Sequence, residues 1–166
     1  MIKNPSGSSF NIIGSGLSST TEWVIACKIS SSGNIEYMTG IPAQWMNFDY
    51  HHITLDDMLN LYLYAHGLNA PQHIYKVDQN GNHSLFYTLS VVTNGTNYSG
   101  DYRYNDMEFI NGNLFVSFCA GVGNGRCYVD KLNSTGDTIF RKEVLESNYY
   151  PNRIIDISCT NSNCYI

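Results

Sequence analysis

Charged side chains are scarce in this 166-residue chain. They make up 14% of it, against roughly 25% in typical soluble domains. Only nine residues are basic, these are scattered, and the formal net charge is −5. Nucleic-acid binding depends on clustered Lys and Arg, so this composition argues against a nucleic-acid partner. No run of 18 apolar residues occurs either, and no membrane-inserted helix is predicted.

Motifs that identify a reaction are also missing. The sequence contains no G-x-S-x-G nucleophile elbow and no Gly-rich phosphate loop. Its few acidic residues show no arrangement that singles out a catalytic carboxylate pair. We therefore expect a protein that is not an enzyme and that uses no cofactor.

Ser, Asn, Thr, Gly and 13 Tyr take the place of the charged residues. These residue types favour turns and half-buried strands over helices. The mixture is common in secreted and surface-exposed β proteins. The expected location is therefore extracellular, at the cell surface or periplasmic.

Four of the five cysteines form two short-range pairs, "CAGVGNGRC" and "CTNSNC", each around a Gly- or Asn-rich turn. Across a hairpin such residues can face each other at disulfide distance, and the predicted bridges are Cys119–Cys127 and Cys159–Cys164. Free thiols are the alternative, and zinc is disfavoured because no C-x2-C spacing or recurring His partner accompanies the pairs. Cys27, in "WVIACKI", is expected to be a buried thiol. Two disulfides would imply an oxidising compartment.

An internal repeat is the strongest signal in the chain. The segments "VIACKISSSGNIEY", "HIYKVDQNGNHSLFY" and "CYVDKLNSTGDTIF" share an apolar alternation, a lysine, a glycine five residues later and an aromatic residue. The lysines are Lys28, Lys76 and Lys131, the glycines Gly33, Gly81 and Gly136, and the aromatics Tyr37, Phe86 and Phe140. A second landmark is an asparagine, found at Asn11, Asn60, Asn113 and Asn163. The period is about 50 residues.

Each repeat is predicted to hold four short strands, in the second one "HHITLDD", "NLYLYAHG", "HIYKVD" and "HSLFYTLSV". The turn "DQNGN" (78–82) carries Asn-Gly, a two-residue turn signal because both positions tolerate a positive φ. Four-stranded units of about 50 residues are the blades of a β-propeller. The predicted fold is all-β and propeller-like, with about three antiparallel blades in an open arc or in part of a larger ring.

One segment, "TLDDMLNLYLYA", also fits a helix. Thr54 would be its cap, Asp57 follows three residues later, and apolar residues recur at helical spacing. The equivalent stretch "NDMEFINGNLFVSF" contains a Gly turn and residues typical of strands. The repeat therefore favours strands for both.

The segments "INGNLFVSF" (110–118) and "VIACKISSSGNIEY" (24–37) resemble the two halves of the unit "avDssGNvyvtG…fvaKldssGnvlW" of bacterial SBBP-type β-propeller repeat proteins. Quinoprotein-type propellers are more distantly similar. The resemblance covers nearly the whole chain and implies a propeller on an extracellular or envelope protein, with no particular ligand. The chain departs from the pattern at the closing Trp, which is replaced by Tyr37, by Leu85/Phe86 and by Phe140.

The landmarks divide a single propeller-like domain, 1–166, into repeats at about 10–58, 59–111 and 112–162, with 163–166 starting a further blade. Closed propellers have roughly four to eight blades. Three repeats alone would leave blade faces and strand edges exposed. We expect a piece of a longer propeller, or several copies that close a ring together.

Connections rich in Tyr, Asn and Asp are predicted to meet on one face of the arc. Aromatic rings stack on the apolar face of a sugar or peptide, and polar groups meet its hydroxyls. The candidate ligand-binding residues are Trp45, Tyr50, Tyr98, Tyr102, Tyr149 and Tyr150. The alternative is that the tyrosines pack between blades and the asparagines form turns.

Metal sites are not predicted. Asp49, His51 and His52 suggest one, but neighbouring strand residues point to opposite faces, so a structural or surface role is expected. "DQNGN" resembles the start of a calcium loop without the distal Glu of an EF-hand, and a hairpin turn explains it more simply. "NSTGDTIF" (133–140) has Ser where the Asp-box of sialidase-type propellers has Asp, and it lacks the Trp.

The expected function is that of a non-catalytic extracellular or cell-surface module that binds a glycan or protein through its Tyr- and Asn-rich loops, or that serves a structural role. One alternative is a self-assembling subunit, joined into a ring or filament through exposed blade edges. Another is a non-catalytic section of a larger propeller enzyme.

Overall fold

The computed structural model shows β-strands throughout the part of the chain that it describes. The described residues are 1–5, 7–17, 22–43, 52–65, 72–89, 92–93, 96–97, 102–120, 126–144, 157–159 and 164–165. Within these ranges there is no helix, and so none that could cross a membrane.

Three four-stranded antiparallel sheets contain most of the strands, in sequence order within each sheet. Sheet 1 consists of β1 (Ile2–Lys3), β2 (Ser9–Leu17), β3 (Glu22–Ser30) and β4 (Ile35–Ala43). Sheet 2 consists of β5 (Ile53–Leu55), β6 (Leu61–Ala65), β7 (Gln72–Val77) and β8 (His83–Leu89). Sheet 3 consists of β11 (Tyr102–Ile110), β12 (Asn113–Ala120), β13 (Arg126–Leu132) and β14 (Thr138–Val144). Two short hairpins join β9 (Val92–Thr93) to β10 (Thr96–Asn97) and β15 (Ser158–Cys159) to β16 (Cys164–Tyr165).

The predicted fold class is confirmed. The segment 54–62, which could also have been a helix, contains the end of β5, a turn and the start of β6. Asn60 directly precedes β6 and Asn113 begins β12, the second strands of their sheets. A repeat counted from these asparagines therefore begins inside a sheet rather than at its first strand.

Strand β3 carries apolar residues on both faces. In β3, Val24 and Ala26 are buried towards sheet 2. Ile25 and Cys27 point the other way and are partly exposed. This is the strand alternation in which successive side chains take opposite faces.

Two apolar cores hold the three sheets together. Between sheets 1 and 2 lie Val24, Ala26, Ile41, Leu61, Leu63 and Val77. Between sheets 2 and 3 lie Tyr62, Tyr64, Ile74, Leu89, Met107, Leu114, Val116, Phe118, Tyr128 and Leu132. Full burial of one such side chain contributes about 1.5–3 kcal/mol, so the sheets are stabilised mainly by their contact faces.

The turns between third and fourth strands share one hydrogen-bonding pattern. In sheet 2 the Asp78 amide donates to the Asn82 carbonyl at 2.9 Å, and the Asp78 carboxylate accepts from the Asn82 amide at 2.8 Å. Gly81 completes this turn with a φ of 84°. Ser30 and Asn133 cap the corresponding turns of the other sheets.

The Asn-Gly pair of "DQNGN" forms a different turn from the one expected. Only Gly81 of that pair has a positive φ, and the Asp78 cap produces a three-residue loop. The two-residue turn with positive φ at both positions occurs at Asn111 and Gly112, where φ is 50° and 75°.

The glycine turns of sheets 2 and 3 each lie against the preceding sheet. A Cβ on Gly81 would be 3.0 Å from the Cβ and Cγ of Tyr37, in the fourth strand of sheet 1. A Cβ on Gly136 would be 2.2 Å from the carbonyl oxygen of Phe86, in the fourth strand of sheet 2. Glycine is thus needed at these positions for the left-handed backbone and for the close approach of two sheets.

A buried ion pair adds to the boundary between sheets 2 and 3. The Asp130 carboxylate is fully buried and accepts two hydrogen bonds of 2.7 Å from the Arg141 guanidinium. The Tyr87 hydroxyl donates to the same carboxylate at 2.8 Å across the boundary and accepts from Arg141 at 3.1 Å. Burial, followed by the charge of Asp130, raises the pKa of Tyr87 to about 12, so the hydroxyl keeps its proton at neutral pH.

Replacing Gly136 with alanine should lower the free energy of unfolding by about 2–5 kcal/mol. Roughly 1–2 kcal/mol comes from the left-handed backbone, and about 1–3 kcal/mol from moving the turn away from Phe86. Gly112→Ala is the matched control, because its φ is 75° and no described atom lies within 4 Å of the added Cβ. Urea unfolding measures the free energy of unfolding of both variants. Equal losses of stability would contradict the close contact between the Gly136 turn and Phe86.

Candidate functional site

The two ends of the sheets carry different connections. Successive antiparallel strands reverse direction, so alternate connections lie at opposite ends. One end, called the turn end, has the short segments 4–8, 31–34, 56–60, 78–82, 111–112 and 133–137. The other, called the loop end, has the segments 18–21, 44–52, 66–71, 90–101, 121–125 and 145–157.

The predicted ligand-binding residues fall, by sequence, within or directly after the segments that connect strands at the loop end. Trp45, Tyr50, Tyr98, Tyr149 and Tyr150 lie outside the described residues, and Tyr102 begins β11 without a described side chain. Whether their rings meet stays a prediction. Among the described side chains at this end, Trp23 is a partly exposed aromatic that the sequence reasoning missed, and its ring lies beside Gly40.

The first strands of sheets 2 and 3 contact each other and form an inner edge. Strand β11 touches β5 of the preceding sheet and β15, which follows sheet 3. His52, immediately before β5, lies with its Nδ1 3.2 Å from Oδ1 of Asp106 in β11. Both side chains are partly exposed, at 30% and 21%.

The Asp106 carboxylate connects three successive inner strands. Its Oδ1 accepts from its neighbouring Met107 amide at 2.8 Å and faces His52. Its Oδ2 accepts from the Ile157 amide at 3.1 Å, directly before β15. A register shift between Tyr104 and Asp106 interrupts the pairing of β11 with β12 at this point, as bulges that redirect side chains do.

Sequence reasoning did not single out Asp106, although a signal was present. The stretches "DMEFINGN" (106–113) and "DISCTNSN" (156–163) align without a gap, each from an aspartate to a landmark asparagine. In the structure Asp106 lies in β11, the first strand of sheet 3. Asp156 itself lies outside the described residues.

The Asp106 carboxylate holds backbone groups in place, because each of its two oxygens accepts a backbone hydrogen bond. No group of three or more His, Cys, Asp or Glu side chains with metal-binding geometry occurs among the described residues. Asp49 and His51, the other members of the suggested metal group, fall outside those residues.

The Asp78 carboxylate is likewise committed to its own turn. Besides the Asn82 amide, the Asn82 side chain donates to it at 2.9 Å. These bonds, the one from the Asn82 side chain first, hold the pKa of Asp78 below its usual range. The geometry agrees with the hairpin-turn interpretation of "DQNGN".

The strand register brings the paired cysteines opposite each other. Cys119 of β12 pairs with Cys127 of β13, and Cys159 of β15 with Cys164 of β16. Residues directly opposite on antiparallel strands have Cβ atoms roughly 4.5–5.5 Å apart, close to what a disulfide requires. Cys27 is a free thiol that is only partly buried, less than the sequence suggested, because no described neighbour covers its face of sheet 1.

Three four-stranded antiparallel sheets packed face to face, with the first strands of sheets 2 and 3 in contact, have the organisation of propeller blades. The fold is β-propeller-like. Blades 1, 2 and 3 are the three sheets, and β15–β16 follows them along the inner edge.

Comparison with known proteins adds little to this description. No protein-family model matches the chain, and no curated protein sequence matches it. Among solved structures, a europium-containing methanol dehydrogenase is similar with a TM-score of 0.45 and 13% identity, over 81% of this chain and 26% of that one. The chain thus spans about a quarter of that protein's length, and the likeness carries no argument about activity.

Replacing Asp106 with alanine should loosen the inner edge between blades. The Ile157 amide would lose its acceptor, so its hydrogen exchange should accelerate, and the free energy of unfolding should fall by about 1–3 kcal/mol. Asp106→Asn keeps one acceptor oxygen and should have a smaller effect. Asp57→Ala, at an exposed turn position, is the control. An unchanged exchange rate at Ile157 in Asp106→Ala would show that the carboxylate does not hold this strand.

Proposed function

We propose that this protein is a non-catalytic module that recognises a glycan or a protein through the loop end of its blades. The observation that carries the proposal is the difference between the two ends. Hydrogen-bonded turns close the turn end, whereas the segments of the loop end are mostly longer and rich in Tyr and Asn. A scaffold of this kind, with variable loops gathered at one end, commonly carries a binding site.

The loop-end segments supply the chemistry that such ligands need. The stretches "QWMNFDYHH" (44–52), "TNGTNYSGDYRY" (93–104) and "SNYYPNR" (147–153) combine aromatic rings with amides and carboxylates. Rings cover the apolar face of a sugar or a peptide side chain, and the polar groups fix its orientation. The net charge of −5 favours neutral or basic ligands over nucleic acid.

Three described aspartates hold the blades and their turns together. Asp106 connects inner strands, and Asp130 is paired with Arg141 inside a blade boundary. Asp56 accepts from the Asn60 amide at 2.8 Å within its turn. A reactive group would need a free lone pair or proton facing a substrate.

An extracellular, cell-surface or periplasmic location is part of this proposal. The cysteine register suits two disulfides, Cys119–Cys127 and Cys159–Cys164. Such bonds persist in oxidising compartments. The resemblance of the repeat to that of SBBP-type propeller proteins supports the same proposal. The first bridge would bracket the loop-end segment 121–125 and restrain it.

The disulfide pattern can be tested by counting thiols in protein produced in an oxidising compartment. Alkylation of the unfolded, unreduced chain should modify Cys27 alone, and reduction should release the other four of the five cysteines. Peptide mass spectrometry identifies the modified positions. Alkylation of Cys119 or Cys164 before reduction would argue against the corresponding bridge.

Ligand recognition can be tested with a glycan array and a peptide library as probes. The double substitution Tyr98→Ala with Tyr102→Ala removes two rings from one loop-end connection and should weaken binding about tenfold or more. Met58→Ala is the control, since Met58 is 76% exposed at the turn end. Unchanged urea midpoints would show that both variants fold.

Binding that survives the double substitution would contradict a role for these rings. Equal loss in Met58→Ala would place the ligand away from the loop end. No binding to any probe by the wild-type chain would overturn the recognition function itself.

A further inference from the structure

Two Asn-Gly pairs lie in described turns at the turn end. They are Asn80–Gly81, between β7 and β8, and Asn111–Gly112, between β11 and β12. In such a pair the backbone nitrogen of the glycine can attack the side chain of the asparagine, because glycine has no Cβ to hinder the approach. Two further pairs, Asn94–Gly95 and Asn124–Gly125, lie outside the described residues.

The reaction open to an Asn-Gly pair is loss of the side-chain amide, which makes asparagine a thermolabile residue. The glycine nitrogen gives up its proton and bonds to Cγ of the asparagine, the Cγ–Nδ2 bond breaks, and Nδ2 leaves with that proton as ammonia. Water then opens the resulting cyclic imide at either carbonyl. The product is an aspartate, or an isoaspartate whose main chain is longer by one carbon.

The Asn80–Gly81 turn is held closed around the atoms that would react. The Gly81 amide, whose nitrogen would attack, donates to the Asp78 carbonyl at 3.1 Å. The Asn80 amide donates to the Asp78 carboxylate at 2.9 Å. A Cβ on Gly81 would lie 3.0 Å from Tyr37, so the turn is also packed on blade 1. Formation of the imide requires the Gly81 nitrogen to rotate towards the Asn80 side chain, and this rotation would break these contacts.

Gln79, in the same turn, ties it to two other segments. Its Oε1 accepts from Lys28 Nζ of blade 1 at 2.9 Å, and its Nε2 donates to the Leu59 carbonyl. Opening of this turn therefore requires the loss of contacts with blade 1 and with the turn 56–60. Local opening costs more free energy where more contacts must be lost.

The Asn111–Gly112 turn has fewer restraints at its glycine. No described carbonyl accepts a hydrogen bond from the Gly112 amide, and no described atom beyond its chain neighbours lies within 4 Å of the position of its Cβ. The Asn113 side chain donates to the Asn111 carbonyl at 2.8 Å, within the turn itself. Exposure does not separate the two pairs, because Asn80 and Asn111 are both exposed. The difference lies in what holds the attacking nitrogen.

We propose that Asn111 is a site of spontaneous deamidation in the folded protein and that the turn at Asn80 protects its own asparagine. Reaction at Asn111 adds a negative charge to the turn end, and an isoaspartate there lengthens a turn in which Gly112 is not crowded. The same extra carbon at Asn80 would press Gly81 on Tyr37 and disturb the boundary between blades 1 and 2. The proposal does not depend on the loop-end function.

The test follows each asparagine separately while the folded chain is incubated at mildly alkaline pH, which favours loss of the amide proton. Samples are digested at acidic pH, and peptide mass spectrometry measures the amide lost at each position. Asn111 should react about tenfold or more faster than Asn80, which corresponds to a difference of roughly 1.4 kcal/mol in the free energy of local opening. In urea, with both turns unfolded, the two rates should approach each other, since both sites are Asn-Gly.

Asp78→Ala removes the carboxylate that caps the protected turn. It should raise the rate at Asn80 towards that at Asn111 and leave the rate at Asn111 unchanged. Circular dichroism checks that the variant is folded, and Gln79→Ala replaces it if it is not. Asn111→Gln is the control and should abolish the fast reaction alone.

Equal rates at the two asparagines of the folded chain would overturn the proposal. So would an Asn111 that stays intact in the folded chain and reacts only in urea. An unchanged rate at Asn80 in folded Asp78→Ala and Gln79→Ala chains would contradict protection by the turn.

Discussion

The close approach of a glycine turn to the outer strand of the preceding blade sets the spacing of this fold. A side chain at Gly136 would meet the Phe86 carbonyl oxygen at 2.2 Å, so the two sheets can lie this close only because the residue has no Cβ. The apolar cores depend on that spacing, since interiors lose contact energy when a gap of even a fraction of an ångström opens. Tyr62 illustrates the result: its ring is 1% exposed and stacks at 5.5 Å on Phe109 of the next blade.

The two boundaries share this geometry and differ in chemistry. Between blades 1 and 2 the core is aliphatic, and the polar contact is that of Lys28 with Gln79. Between blades 2 and 3 a fully buried aspartate needs Arg141 and Tyr87 as partners. Asp130 and Arg141 both belong to blade 3, so the ion pair is formed within that blade, and the Tyr87 hydroxyl is the group that reaches it from blade 2.

The strands, the repeat and the turn glycines could be predicted because each depends on local sequence. Alternation marks the strands, and a glycine five residues after a lysine marks the turn. The inner-edge and boundary contacts could not be predicted, since they join residues far apart in the chain. Tyr87 and Asp130 are 43 positions apart, and Asp106 and Ile157 are 51 apart. The predicted form of the turn at Asn80 was wrong. The Asp78 side chain, rather than the Asn-Gly pair, determines the backbone conformation of that turn.

Cooperative unfolding tests most directly whether the boundaries unite the three blades. In a Trp45→Phe variant, Trp23 of blade 1 is the sole remaining tryptophan of the two in the chain and reports on that blade. Far-ultraviolet circular dichroism reports on all the strands. In urea, at a concentration where the chain is monomeric, the two transitions should superimpose with one midpoint, as expected for a single cooperative unit. A separate transition for Trp23 would contradict the account, because blade 1 would then unfold independently of the rest of the structure.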